Sequence, residues 1–394
     1  MAGTTTAQQQ ANPWQINAAQ RHQVLSQSVR RKQQISSTTF NPANGNLYTC
    51  NQILAVGLLL RFYVEVECTY AQLTEALSVA TATDFGAMNS LSNVQFTDLQ
   101  NNQRHNCTGL QLALTQGFKD KNPFVSAKTL AQSEGNFGAN WPLVYATPPT
   151  PASAGTSRVV YEIPIAYSDD DLRGAIYANV VSNQMNLQLT VNPNPSPSVG
   201  DDTFAVFNLV PAAGESGGGI TSVTIKIYQE YLDQLPIGQY GIVLPQLDIS
   251  TLYQLLYTNF ANLTAGQDNY VQYTNFRRFM SLTTLFNSTG TKGGRLVGSD
   301  ITRWKLISAN LTSIHEEGPL ERARIARRIL GTDPPPGTYY FPSRKQPIYT
   351  LASGNMQLDL IPSVAGNAAY LYVMWEFFAQ QNTLTQAGSL SAGS

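Results

Sequence analysis

Residues 163–181, IPIAYSDDDLRGAIYANVV, place three consecutive carboxylates three positions ahead of a glycine, which invites comparison with a calcium-binding loop. Counted from Asp169, Asp171 takes position three and Gly174 position six, but position five is Arg173 and position twelve is Val180. The bidentate ligand is missing, and a bound cation would face a guanidinium. The same residues fit a helix start: Ser168 as N-cap, Asp171 completing a capping box, carboxylates at the positive helix end, and Asp169 within reach of Arg173. The spacing predicts a short helix capped by Ser168 and Asp171, with Leu172, Ala175 and Ile176 on its buried side and no metal.

GESGG at 214–218 satisfies the nucleophile-elbow pattern G-x-S-x-G, and His315 follows it in the chain order such a triad requires. An elbow needs a helix after its serine. Here the strand-like SVTIKI (222–227) follows, so a glycine-rich hairpin loop is the better reading. His22, His105 and His315 are widely separated, and neither HExxH nor GxxxxGK[ST] occurs. His105 sits in QNNQRHN (100–106), whose polarity reads as an exposed loop. GPLERARIARRIL (318–330) carries Arg322, Arg324, Arg327 and Arg328 on a helical pattern, with Leu320, Ile325 and Ile329 roughly along one face. Without interleaved aromatics it reads as a solvated or subunit-contacting helix rather than a nucleic-acid reader. Cys50, Cys68 and Cys107 form no CxxC pair and are odd in number, which disfavours a disulfide framework or a zinc site. These candidates assemble no catalytic centre and imply no cofactor, so a non-enzymatic role is expected.

The elements around them are mostly strands. Alternation is clean in NLQLTV (186–191), SVTIKI (222–227) and MQLDL (356–360), as in half-buried antiparallel strands. Turn-rich breaks separate them, at NPNPSPSVGDD (192–202), AAGESGGG (212–219), NSTGTKGG (287–294) and GTDPPPG (331–337). Many strands, long polar loops and few helices indicate an all-β sandwich or barrel architecture. Residues 13–36 read as an amphipathic helix, with Pro13 in its first turn and Trp14, Ala18, Leu25 and Val29 as a thin apolar stripe beside Arg21, Arg30 and Arg31. A division near residue 240 is expected, where ITSVTIKIYQEYLDQL (220–235) ends and YGIVLPQLDISTLYQLLY (240–257) begins.

The chain has 394 residues, net charge −1 and only 12% charged residues, about half the usual share. A surface so weakly charged favours association over free solution. No acidic residue precedes Glu65, whereas Arg21, Arg30, Arg31, Lys32 and Arg61 do, so the N-terminal arm is cationic and suits an anionic neighbour, lipid headgroups or nucleic acid. ILAVGLLL (53–60) is too short to span a bilayer, and the polar start lacks the regions of a signal peptide.

TDFGAMN (83–89), NQRH (102–105), IPIAYSDDDLRGAIYANV (163–180), YQEYLDQLPIGQYGIVLPQLDISTLY (228–253) and KQPIYTLASGN (345–355) together resemble the major capsid protein of tectiviruses, tailless icosahedral bacteriophages with an internal membrane. The resemblance covers roughly residues 39–390 in order and spacing. It implies a double jelly roll: two eight-stranded antiparallel β-barrels at 47–243 and 244–380, an N-terminal helix and arm at 1–46 facing the interior, short inserted helices, and a C-terminal arm at 381–394. It further implies homotrimeric capsomers of nearly hexagonal outline, tiling an icosahedral shell that is assembled in the host bacterial cytoplasm. The expected partners are further copies of the chain, minor capsid and vertex proteins, and membrane lipids met through Arg21, Arg30, Arg31 and Lys32, without direct sequence-specific nucleic-acid binding. The competing class is a jelly-roll receptor-binding spike or lectin-like module.

Overall fold

In a computed structural model the described residues are 12–83, 85–119, 144–179, 185–192, 204–273, 278–287, 301–308, 313–318, 337–343, 348–349, 356–362 and 369–380, with Leu320, Glu321, Arg324 and Arg328. The alternating stretches are strands: β10 (Asn186–Val191), β12 (Ile220–Asp233) and β22 (Met356–Pro362). In β12 the even–odd pattern sends Val223, Ile225 and Ile227 into the core while Thr224, Lys226 and Tyr228 face outward.

Three sheets make two sandwiches. The first outer sheet runs β1 (Val29–Phe40), β12, β3 (Leu58–Tyr70), β8 (Gly155–Pro164) and β7 (Val144–Thr147), with β9 (Ile176–Tyr177) added to β3. A central sheet runs β2 (Leu47–Cys50), β10, β5 (Leu91–Thr97), β6 (Gln103–Cys107), β15 (Thr251–Leu263), β23 (Ala369–Gln380), β17 (Arg278–Asn287) and β20 (Thr338–Pro342), with β21 (Ile348–Tyr349) on β17. The second outer sheet runs β16 (Asn269–Tyr273), β22, β18 (Ile301–Ser308) and β19 (Ser313–Glu317). The first four central strands close over the first outer sheet and the rest over the second. A parallel ladder joins the two halves, with Leu255 opposite His105 and Leu256 opposite Asn106.

Strand β23 explains the apolar run near the end of the sequence. Leu371, Val373, Trp375 and Phe377 fill the second sandwich, whereas Tyr372, Met374 and Phe378 belong to the first core, so both faces are buried. Helix α2 (Gly109–Lys119) lies in this junction, with Leu110, Leu112, Leu114 and Phe118 in the same core. The Phe118 ring stacks on Tyr340 at 4.9 Å, and Thr115 hydrogen-bonds Thr283 at 2.7 Å.

Candidate assembly and interior-facing surface

Helix α1 spans Pro13–Gln27, not the full 13–36 that the spacing predicts. Its start follows the sequence: the Asn12 side chain accepts from the Trp14 amide at 3.0 Å, and Pro13 occupies the first turn. Ser28 is extended, and residues 29–40 become β1, which pairs with β12. The β-branched and hydroxyl residues of ISSTT disfavour helix, and the unpaired edge of β12 supplies hydrogen bonds that an isolated polar helix would lack.

The arm's cations therefore lie on two elements. On α1, Arg21 forks onto Asp248, with Nε and Nη2 at 2.6 and 2.7 Å from its two oxygens. Asn17 donates to the same carboxylate at 2.9 Å and accepts from the Leu247 amide, pinning α1 to the one-turn helix α3 (Gln246–Ile249). Asp248 is buried, and its hydrogen bond holds the Arg21 guanidinium above its usual pKa against the effect of burial. Val24 and Leu25 close this attachment in a small core with Leu58, Leu172, Leu232 and Ile249.

On β1, Arg30 meets Asp169 at 3.1 Å and Glu230 at 3.7 Å, and Arg31 meets Asp233 at 2.8 Å. The Lys32 ammonium sits 3.9 Å from the centre of the Tyr63 ring and 5.3 Å from that of Tyr228. Beside them Arg61 bridges Glu162, Asp169 and Glu230. Burial opposes its charge, but Glu162, Tyr63, Asp169 and Glu230 outweigh that and raise its pKa, while burial and Glu162 push Tyr63 up to about 12. A single free row of cations on one helix is thus replaced by a ladder of opposite charges along the outer sheet.

No helix forms at 168–176. Asp171 accepts from the Arg173 amide at 3.1 Å and grips the Arg173 guanidinium, while the Tyr167 amide donates to the Arg173 carbonyl at 3.0 Å, so the stretch is a tight loop. An Asp side chain that bonds the backbone two residues on competes with helix, and Gly174 at φ +93° ends it. Ser168 is exposed and caps nothing helical; Leu172, Ala175 and Ile176 are buried, as their apolar character predicts. A Cβ on Gly174 would meet the Ile165 carbonyl and Tyr253 Cβ, each at 2.5 Å.

His105 also departs from its expected exposed loop. It is fully buried on β6, with Nε2 2.6 Å from the Pro164 carbonyl oxygen and its ring 5.9 Å from Tyr253. Burial, assisted by neighbouring Arg104, pulls its pKa down to about 3. Arg104 is buried too, paired to Asp98 at 2.8 Å and donating to the Gly174 carbonyl. At the junction of the sandwiches Lys119 reaches Glu376 at 2.8 Å, and Tyr253 and Ser281 donate to the same carboxylate. Burial alone would raise the Glu376 pKa; Lys119 and these hydroxyls lower it instead. Sequence reading missed this group, because its members are separated by more than 90 residues in each pair.

GESGG is a turn whose Glu215 carboxylate accepts from the Thr74, Glu75 and Gly217 amides, and β12 follows it. His315 lies on β19. Most of 318–330 is outside the described residues; Leu320 is exposed. Of the three cysteines all are buried and free. Exposed apolar side chains gather at Trp14 and Ile16 on α1, at Leu77, Val79 and Val210 beside the two-stranded ladder of β4 (Val79–Ala82) and β11 (Phe207–Val210), and at Ile237, Tyr240 and Ile242.

Comparison with known proteins places the whole chain. Residues 6–235 match the family described as P3 major capsid protein N-terminal, and residues 250–392 match P3 major capsid protein C-terminal. The chain is 32% identical over 379 residues to major capsid protein P3 of Enterobacteria phage PRD1, covering 95% of this chain and 94% of that one. Its fold is that of the STIV major capsid protein crystal structure (TM-score 0.64, 10% identity, 91% of this chain and 98% of that one). It is also that of PBCV-1 VP54 as fitted into the virophage Sputnik (TM-score 0.52, 11% identity, 90% and 97%).

Proposed function

This chain belongs to the P3 major capsid protein family and forms the capsid shell of a virion, and from that premise we propose that three copies close into a pseudo-hexagonal trimer around an internal membrane. The observation that carries the proposal is the pair of sandwiches joined through one continuous central sheet. Two similar units per chain, repeated by a three-fold axis, present six wedges, an outline that a single-unit trimer could not offer to a hexagonal lattice. We assign the units to 47–243 and 244–380, with arms at 1–46 and 381–394, the first arm adding its strand β1 to the first unit. The role is structural, and the chain carries no reaction of its own.

The arm at the α1 end is assigned to the shell interior. Trp14 and Ile16 supply exposed apolar contact on α1, and Arg30 and Arg31 keep about half of their side chains exposed beside it. Arg21 and Lys32 are spent mainly on Asp248 and the two tyrosine rings, so they orient the arm toward lipid rather than bind it. Minor capsid and vertex proteins would occupy the positions that a hexagonal capsomer cannot fill. Cryo-electron microscopy of particles containing this chain tests the assignment: trimers with α1 on the inner surface are expected. Capsomers of another symmetry, or α1 facing outward, would overturn it. Flotation with anionic vesicles should be reduced in Trp14→Ala/Ile16→Ala; equal flotation would separate α1 from the membrane.

A further inference from the structure

We propose that the hairpin at residues 236–243 is an apolar anchor that seats in a second copy of this chain. Its strands β13 (Ile237–Gly238) and β14 (Gly241–Ile242) pair Ile237 directly with Ile242, so both side chains lie on one face. They are 81% and 45% exposed, and Tyr240 at the tip is 96% exposed. From Gln234 to Leu247 there is no charged residue, and Asp233 and Asp248 bracket the segment. Large apolar groups held this far into solvent on an uncharged projection mark a surface built for another body.

The stem fixes the projection. Leu235 and Val243 pack into the small core that also holds Val24 and Leu25 of α1, Pro236 is buried, and the Val243 amide donates to the Pro236 carbonyl at 2.8 Å. Gln234, at φ +51°, turns the chain into the hairpin, and Gly241, at φ +112°, opens the return strand directly after the Gln239–Tyr240 tip. A knob already ordered before contact gives up little conformational freedom on docking, which favours a shaped protein socket over a fluid lipid surface. Copies of this chain are the bodies that the shell brings together, so the socket is assigned to a second copy. Three side chains fall short of the roughly 1,000 Å² that a stable interface buries, so they form an anchor within a larger contact; tyrosine is among the residues enriched at such points.

The test uses the full chain with Tyr240 replaced by photoreactive p-benzoylphenylalanine, which preserves an aromatic tip. Irradiation of the assembled protein should give a covalent product of twice the chain mass, whose cross-linked peptide comes from this sequence. A cross-linked peptide pair mapped within a single chain would place the tip against its own chain. Adducts confined to added anionic vesicles would place it on lipid, and no cross-link would leave it in solvent; each overturns the proposal. Independently, Ile237→Asp/Tyr240→Asp should keep the wild-type far-ultraviolet circular-dichroism spectrum, as expected if the fold is intact, and require at least tenfold higher concentration to assemble. Unchanged assembly would remove the anchor and leave the trimeric shell reading intact.

Discussion

His105 is a titratable group held neutral by the fold, and the consequence for stability has a definite sign. Its folded pKa is lowered from 6.5 to about 3, so between those values the unfolded chain takes up a proton that the folded chain refuses. The stabilisation is complete above pH 6.5 and lost as pH falls toward 3, at up to about 1.4 kcal/mol per pH unit. Urea unfolding at several pH values should show that slope in the wild type and a flatter one in His105→Gln; equal slopes would assign the acid sensitivity elsewhere. Gly174 yields a second outcome. Its positive φ and the two 2.5 Å encounters awaiting a Cβ make Gly174→Ala costly, about 3 kcal/mol or more by chemical denaturation. Ser168→Ala, by contrast, should stay within about 0.5 kcal/mol, because no helix depends on that hydroxyl. These residues were hard to read from the sequence for one reason. QNNQRHN is polar, yet Arg104 and His105 are buried by partners at Gly174 and Pro164, 70 and 59 positions away, which no local pattern announces.

At the scale of elements, β10 and β12 were legible because alternate residues are buried and half-exposed, and β22 because its sequence alternates although Asp359 is buried along with Leu358 and Leu360. The α1–β1 boundary was not. Arg30, Arg31, Lys32, Gln33 and Gln34 are competent helix formers, and the edge of β12 decides their conformation. What holds α1 in place is Asp248, so Asp248→Ala should release hydrogen-exchange protection in residues 13–27 while leaving β3 and β12 protected; retained protection would show that Val24 and Leu25 suffice. The Lys119–Glu376 pair makes a sharper case at the sandwich junction. Glu376→Leu strips the part-buried Lys119 ammonium of its counter-charge, leaving only the Tyr167 carbonyl and Tyr253 hydroxyl as hydrogen-bond partners, and should cost about 3–5 kcal/mol, whereas Lys119→Met/Glu376→Leu should recover most of it. The lowered pKa of Glu376 means that its contribution is present above its unfolded value and disappears as pH falls through the folded one. A double variant as unstable as the single one would mean that the pair orders the junction rather than merely neutralising itself.

For the whole molecule, association was foreseeable from composition, since 12% charged residues and a net charge of −1 leave little to keep copies apart. The double jelly roll, in contrast, was legible through family motifs rather than through physics. Periodicity identifies strands, but the order in which β6 meets β15 is fixed by pairing across about 150 residues. The surface that remains suggests how copies hold together. Many charges on the outer sheets are already matched within the chain, as in Arg158 with Glu67 and Arg303 with Asp359, whereas the exposed large apolar side chains at Leu77, Val79, Val210, Ile237 and Tyr240 have the most to gain from cover. A trimer held mainly by apolar contact should resist salt, because raising ionic strength to 1 M shortens the screening length to about 3 Å and weakens ion pairs without weakening burial. Permanent assemblies bury about 2,000 Å² or more, so dissociation on dilution should be slow. Light scattering at micromolar concentration is therefore expected to give three chain masses both at 0.1 M and at 1 M sodium chloride. A monomer at either salt concentration would contradict the trimer, and a trimer lost only at high salt would place its cohesion in charge pairs between copies.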